Sequence, residues 1–94
     1  MLSKQQLKTL RRLSHEEPAL VSVGKNGITP TLLESFEASL IAHNLVKVNI
    51  LKTSETTKEE LIEELEDRFA VETVSKIGRV VVFYRYGSKG RIIV

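Results

Sequence analysis

The chain has 94 residues, of which 41% are hydrophobic, so it can form one small domain whose single core leaves little room for a deep catalytic cavity. It contains no cysteine, which excludes a disulfide framework and a thiolate metal site. The net charge of +2 is unevenly divided, because residues 55–67 are strongly acidic and the remainder is basic, which excludes a uniformly charged surface.

The first predicted helix spans residues 3–14 and has two distinct faces. Leu7 and Leu10 fall on one face at helical spacing. The other face carries a basic stripe, which consists of Lys4, Lys8, Arg11 and Arg12. A short run of β-forming residues follows and predicts a strand over residues 19–23.

The next two elements are a helix and a strand, each with one apolar face. Thr29 is a good N-cap and Pro30 suits the first helical position, so we predict a helix over residues 30–43. Its apolar residues at helical spacing are Leu33, Phe36, Leu40 and Ile41. Residues 45–52 alternate, which predicts a strand with one face in water. Its apolar positions are Val46, Val48 and Ile50, and its polar ones are Lys47 and Asn49.

Helical spacing returns over residues 57–69, where an apolar stripe underlies the acidic segment. This stripe consists of Leu61, Ile62, Leu65 and Phe69. Two more strands are predicted over residues 71–77 and 80–86. Only Gly78 and Arg79 separate them, so the connection must be a tight turn.

The order α-β-α-β-α-β-β predicts an α/β fold, an α+β two-layer sandwich with a four-stranded mixed sheet. Helical crossovers make the first three strands parallel or near-parallel, and the tight turn makes the last pair antiparallel. The last strand, VVVFYRY, is apolar on both faces, so we place it inside the sheet. The second and third helices should share one core with the strand over residues 45–52, while the first covers the other face or an edge. Residues 1–94 are predicted to form a single domain, with 87–94 as a mobile tail or a short edge strand.

The loop GKNG, residues 24–27, lies between a strand and a helix and is the strongest candidate for a ligand site. Gly24 and Gly27 lack a Cβ and tolerate positive φ, so the backbone can turn sharply and approach a ligand closely. Lys25 and Asn26 offer a cation and an amide near a helix N-terminus, where anionic oxygens are favoured. The spacing fits neither a Walker loop nor a dinucleotide fingerprint. Such a glycine pair is also a common structural turn, so both interpretations stay open.

Four further side chains are candidates for contacts with a nucleic acid. Arg79, in a tight turn, and Arg85, near a strand end, suit phosphate, the alternative being an ion pair with a surface acid such as Glu72. Tyr84 and Tyr86 are candidates for stacking on bases. For Tyr84 we favour packing against the helices, with its hydroxyl at the rim.

The sequence offers no catalytic, metal or cofactor site. His15 and His43 lie near predicted helix ends without a second ligand at metal spacing, so we interpret them as capping or surface residues. No Ser-His-Asp order is present, and the acids of residues 55–67 fall mostly outward on a helix. We therefore expect a protein that is not an enzyme and uses no cofactor or metal.

Three segments cover nearly the whole chain and carry a family resemblance: LSKQQLKTLRRLSH, VSVGKNGITPTLLESFEASLIAHNLVKVNIL and KIGRVVVFYRYG. Together they resemble the CRM family, the chloroplast RNA splicing and ribosome maturation domain, in its stand-alone, bacterial YhbY-like form. The resemblance implies the fold of the C-terminal domain of translation initiation factor three, with sheet order 1-2-4-3. It also implies RNA binding and association with precursors of the large ribosomal subunit.

The same resemblance assigns two motifs residue by residue. The family's GxxG loop corresponds to Gly24, Lys25, Asn26 and Gly27, and its C-terminal motif to Gly78, Arg79, Tyr84 and Arg85. The acidic helix over residues 57–67 departs from the pattern and argues against RNA contact on that face.

Two hypotheses follow from the charge distribution. Residues 55–67 hold seven acids and one lysine (net −6), whereas the remainder holds thirteen bases and five acids (net +8). The favoured hypothesis is an RNA-binding protein of ribosome assembly, whose basic surface combines the first helix, GKNG and residues 78–91. The alternative is an adaptor whose acidic helix docks a basic partner such as a ribosomal protein. The N-terminus lacks a secretion signal, so we expect a cytoplasmic protein, with neither a membrane nor DNA as partner.

Overall fold

The computed structural model describes the whole chain, Met1–Val94, as three helices and four strands in the predicted order. They are α1 (Lys4–Ser14), β1 (Val21–Val23), α2 (Pro30–His43), β2 (Leu45–Ile50), α3 (Lys58–Phe69), β3 (Glu72–Ile77) and β4 (Val80–Tyr84). The main differences from the predicted bounds are that β1, β2 and β4 are each two residues shorter. No helix is both long and apolar enough to cross a membrane.

Side-chain caps explain where the three helices begin. Ser3 and Gln6 form a capping box at the start of α1, in which each side chain accepts from the other residue's backbone N–H. The Thr29 hydroxyl accepts from the amide of Leu32, with Pro30 at the first helical position of α2, as predicted. Thr57 and Glu60 form a second capping box at α3.

The four strands form one mixed sheet in the order β1-β2-β4-β3, which confirms both the predicted order and the central position of β4. β1 pairs with β2 in parallel, and β4 is antiparallel to both of its neighbours. Gly78 has a φ of 60° in the turn between β3 and β4, a value that glycine adopts without strain. The N-terminal end of β4 therefore lies at the same edge of the sheet as the C-terminal ends of β1, β2 and β3.

The main core lies between the sheet and helices α2 and α3, as predicted. Its buried members include Phe36, whose ring contacts those of Phe69 and Phe83 at centroid distances of 5.3 and 5.5 Å. Ile41 follows the apolar spacing of α2, but it is 56% exposed and lies outside this core. Helix α2 instead buries Leu32, and Ile41 lies about 100° further around the helix than the buried Leu40.

The opposite face of the sheet carries a second, smaller core under α1. Its buried members are Leu10, Leu45, Val74, Val82, Tyr84 and Ile92. The prediction that one face of β2 meets water is therefore wrong. Lys47, on that face, is half-buried and its ammonium donates to the carbonyl oxygens of Ser14 and Glu17, at 3.2 and 3.3 Å. These carbonyls lie at and just beyond the end of α1, where a positive charge is favourable.

The C-terminal segment contains no strand and is bound to the junction between α2 and β2. Asn44, buried with a φ of 68°, donates from Nδ2 to the carbonyl oxygens of Gly87 and Ile92, at 2.9 and 3.0 Å. The amide of Ile92 donates in turn to the His43 carbonyl. We call residues 42–45 and 84–92 the Asn44 end of the sheet.

Candidate nucleic-acid interface

The GKNG loop lies at the other end of the sheet, where three connections meet. The amide of Leu51 donates to the Val23 carbonyl at 2.9 Å, and the amide of Ile50 donates to the Arg79 carbonyl at 2.7 Å. We call residues 24–29, 51–57 and 78–79 the GKNG end. It is separated from the Asn44 end by the six residues of β2, about 17 Å of extended chain.

The two glycines of the loop have different roles. The amide of Gly27 donates to the Gly24 carbonyl at 3.0 Å and closes a tight turn. Only Gly27 has a positive φ, 71°, and a Cβ there would lie 3.2 Å from Thr56 Oγ1. A Cβ on Gly24 would meet only the Leu51 side chain, at an ordinary 3.9 Å. The expectation of glycine-specific geometry thus applies to Gly27 and not to Gly24.

An open recess of about 340 Å³ lies between the loop, strand β1 and the first turns of α2. We call it the GKNG groove. No carboxylate lines it, and its polar side chains are Ser22, Lys25, Asn26, Thr29, Thr31 and Ser35. Sequence reasoning missed three of these hydroxyl residues, although each had a signal. Ser22 is the outward residue of an edge strand, and Thr31 and Ser35 are four apart on one helical face.

Two features make the groove suited to an anionic ligand. The side chains of Lys25 and Asn26 are exposed, and Lys25 belongs to none of the ion pairs in the structure. In the first turn of α2, Pro30 has no N–H, and the amides of Leu32 and Leu33 bond to Thr29. The amide of Thr31 therefore remains available at the positive end of the helix.

The basic stripe lies in a different layer of the molecule. Lys4, Lys8 and Arg12 are exposed on α1, which packs against β2 and β3 on the face opposite α2. The Arg11 Nε donates to the Val74 carbonyl at 3.0 Å, so this side chain also stabilises the contact between α1 and β3. The stripe and the GKNG groove are therefore separate basic surfaces.

The two arginine candidates lie at opposite ends of β4. Arg79 is exposed at the GKNG end. Arg85 lies at the Asn44 end, where its Nη1 donates to the Phe69 carbonyl at 3.0 Å, at the C-terminus of α3. Glu72, the alternative partner considered for these arginines, accepts instead from the Leu2 amide at 2.8 Å. Residues 78–91 consequently do not form one continuous surface.

The aromatic and histidine candidates also differ from one another in their burial and contacts. Tyr84 is 3% exposed and donates from its hydroxyl to the Ile92 carbonyl at 3.3 Å, so it packs as predicted, but its hydroxyl is buried instead of lying at the rim. Tyr86 is 64% exposed. His15 is the C-cap of α1, and His43 Nδ1 accepts from Arg91 Nε at 3.1 Å.

Much of the acidic charge of α3 has partners within the fold. Glu60 belongs to the capping box, Glu64 pairs with Arg68, and Glu66 accepts from the Thr73 hydroxyl at 3.0 Å. Glu59 and Glu60 also lie in the first turn, where negative charge favours the helix. These contacts give three of the six acidic residues of α3 a role in the fold.

Residues 2–85 match a family model described as the CRS1 / YhbY (CRM) domain. An RNA-binding protein of Haemophilus influenzae is 31% identical over 91 residues, covering 97% of this chain and 92% of the relative. The probable RNA-binding protein YqeI of Bacillus subtilis is 28% identical over 93 residues, covering 99% and 97%. The solution structure of a hypothetical Staphylococcus aureus protein, described as a candidate RNA-binding protein, is 32% identical with a TM-score of 0.77, covering 94% and 92%.

Proposed function

The chain belongs to the CRS1/YhbY (CRM) domain family, and we propose that it is a non-enzymatic RNA-binding protein that holds an RNA strand in the GKNG groove. One observation carries the proposal. The groove combines an unpaired cation at Lys25, several hydroxyl groups and an available amide, and no carboxylate lines it. The names of the similar proteins from Haemophilus influenzae and Bacillus subtilis support RNA as the ligand.

The groove offers the donors that a sugar-phosphate backbone requires. Lys25 provides a charge for a phosphate, and the Thr31 amide provides a donor at the helix N-terminus. Ser22 and Ser35 can each donate to or accept from a ribose 2′-OH, the group that distinguishes RNA from DNA. Gly27 gives the loop its turn and leaves the backbone unshielded by a side chain.

The basic stripe and Arg79 contribute long-range attraction. Exposed lysine and arginine side chains raise the local concentration of a polyanion and speed its association without reading its sequence. Their separation from the groove means that a single bound strand must bend around the molecule to contact both. We expect the groove to position the RNA and the stripe to add salt-sensitive affinity.

The biological setting of the proposal comes from the family resemblance. It suggests that the RNA is ribosomal RNA in precursors of the large subunit, in the cytoplasm, where ribosomal proteins would be neighbours. Crosslinking within purified precursor subunits tests this directly. We expect crosslinks from Lys25 to ribosomal RNA, and crosslinks only to proteins would contradict it.

The adaptor hypothesis has weaker support. Three of the seven acids of residues 55–67 already have side-chain partners in the fold, as described above, which leaves Glu55, Glu59, Glu63 and Asp67 as exposed acids without a partner in a salt bridge. The two functions differ in their response to salt and to RNA. RNA binding should weaken steeply as salt rises, because bound phosphates release counterions. Partner binding that persists after ribonuclease treatment would favour the adaptor.

A further inference from the structure

At the Asn44 end, Tyr86 exposes most of its ring at a fixed position. The residue is 64% exposed. Its neighbours on both sides are anchored: the Arg85 amide donates to the Asn44 carbonyl at 3.1 Å, and the Gly87 carbonyl accepts from Asn44 Nδ2 at 2.9 Å. The amide of Gly90 donates to the Gly87 carbonyl and closes the following turn. An aromatic ring is thus held outward by a hydrogen-bonded segment.

Tyr86 borders a second open recess, of about 210 Å³, which also contacts the end of α2. On the α2 side the recess is lined by Ile41, which is 56% exposed. Lys89 contributes an exposed ammonium, and no carboxylate lines the recess. Two exposed apolar side chains beside a cation form a site for a ligand that is flat, apolar on its faces and attached to negative charge.

We propose that the recess between Tyr86 and Ile41 binds one unpaired base of an RNA strand. Base faces stack on aromatic rings whatever the base, and a nearby cation is suited to the phosphate that accompanies it. This inference rests on the proposed RNA-binding function and adds a second contact at the Asn44 end, toward the C-terminal end of α2, whose first turns line the GKNG groove. Tyr86 and Ile41 are two of the eight large hydrophobic residues that the fold leaves exposed, and both line this recess.

The contact is base stacking and not phosphate clamping, because the arginines of this end are already engaged. Arg85 donates to the Phe69 carbonyl, and Arg91 pairs with Glu17 and donates to His43. If Tyr86 and Ile41 instead bound a second protein molecule, the bases of the RNA would have no effect on affinity. An RNA strand without bases is therefore the control.

The test measures affinity for two oligonucleotides of equal length, a single-stranded RNA of mixed sequence and an abasic version with the same phosphates. The proteins are the unchanged chain, Tyr86→Ala and Tyr86→Phe. We expect Tyr86→Ala to bind the mixed-sequence RNA about fivefold more weakly or worse, as the loss of one stacked base implies. Tyr86→Phe should retain affinity, and the abasic strand should bind all three proteins equally.

Intrinsic fluorescence provides an independent measurement, because the chain has two tyrosines and no tryptophan. Stacking should quench the exposed Tyr86 when mixed-sequence RNA is added and not when the abasic strand is added. The buried Tyr84 should respond to neither. Thermal unfolding of Tyr86→Ala should match that of the unchanged chain, since the removed ring is largely outside the fold.

The outcomes separate this inference from the function on which it rests. If Tyr86→Ala and the unchanged chain bind mixed-sequence RNA equally, the base site is wrong and the GKNG proposal stands. If Tyr86→Ala weakens binding of the abasic strand as well, stacking is not the cause and the base site is again wrong. If the unchanged chain binds neither strand, both proposals fail together.

Discussion

The two ends of the sheet use the same kinds of residue in opposite ways. At the GKNG end, Lys25 and Asn26 are exposed and Gly27 supplies a positive φ. At the Asn44 end, the asparagine is buried and donates twice to the C-terminal segment. Its arginines, Arg85 and Arg91, donate to the backbone and to side chains of the fold.

The difference shows that a count of basic residues does not locate an RNA surface. Both ends carry glycine, an amide side chain and cations, yet the GKNG end leaves Lys25, Asn26 and Arg79 exposed, whereas Lys89 is the one cation of the Asn44 end without a partner in the fold. The Asn44 end uses most of its donors to hold residues 84–92 and leaves mainly an apolar surface exposed. A polar group that already has a partner gains little by meeting a phosphate, because the earlier bond must first be broken.

Gly90→Ala should have the largest effect and acts on stability. A Cβ at this buried position would lie 1.9 Å from Asn44 Oδ1, so Asn44 and the segment it binds must move apart. We expect a loss of about 3 kcal/mol in the free energy of unfolding, measured by urea denaturation. Gly24→Ala is the matched control at the GKNG end, where the new Cβ finds ordinary contact, and it should change stability little. Equal effects at the two positions would remove the contrast between the ends.

Gly27→Val should damage folding and RNA binding together. A β-branched residue at a φ of 71° is strained by about 1–3 kcal/mol, and its Cβ would crowd Thr56 Oγ1. We expect a lower thermal midpoint and weaker RNA affinity in the same sample. Gly27→Asn, which tolerates this φ better, should recover part of the stability. If Gly27→Val had the thermal midpoint and RNA affinity of the unchanged chain, the turn would not require a glycine.

Neutralising the basic stripe should lower RNA affinity without regard to sequence. The change replaces all four bases by glutamine: Lys4, Lys8, Arg11 and Arg12. The log–log salt dependence should flatten by ~0.7 for each lost contact with a single-strand phosphate. Arg11→Gln alone should also lower stability slightly, since its Nε donates to the Val74 carbonyl. As a control, Glu59→Gln with Glu63→Gln should leave affinity unchanged or slightly raised, and a collapse there would favour the adaptor.

The smallest effects should come from the two arginines of β4 and should differ in kind. Arg85→Gln loses a charge-assisted bond to the Phe69 carbonyl, so we expect about 1–2 kcal/mol less stability and a small change in affinity. Arg79→Gln should leave unfolding unchanged and reduce RNA affinity by a few fold at low salt, because its side chain is exposed. Measuring both quantities on both variants would test whether the ends differ as described. Equal changes of stability and RNA affinity in the two variants would contradict this difference.

Local patterns explain why the elements and the sheet were predictable from the sequence. Thr29 and Pro30 mark a helix start through their own geometry, and the apolar character of VVVFYRY reflects burial on both faces. The sheet order came with the family resemblance and agrees with that central position. The helix starts and the apolar run depend on residues close together in the chain, whereas the sheet order does not.

Contacts between distant segments explain what the sequence did not reveal. The buried hydroxyl of Tyr84 depends on how residues 84–92 return to Asn44. The different surroundings of Gly24, which faces Leu51, and Gly27, which faces Thr56, depend on the connection over residues 51–57. The hydroxyl groups of the GKNG groove come together only because β1 and α2 lie side by side in the fold.

The most direct test replaces Lys25 and Asn26 together by aspartate. Two negative charges then stand where a phosphate should lie, while the glycines that shape the turn remain. Lys25→Ala is the milder control, which should weaken RNA binding and leave stability unchanged. For the aspartate pair we predict a thermal midpoint equal to that of the unchanged chain and no measurable RNA binding. Normal RNA affinity in this normally folded variant would show that the GKNG loop only turns the chain and would contradict the account.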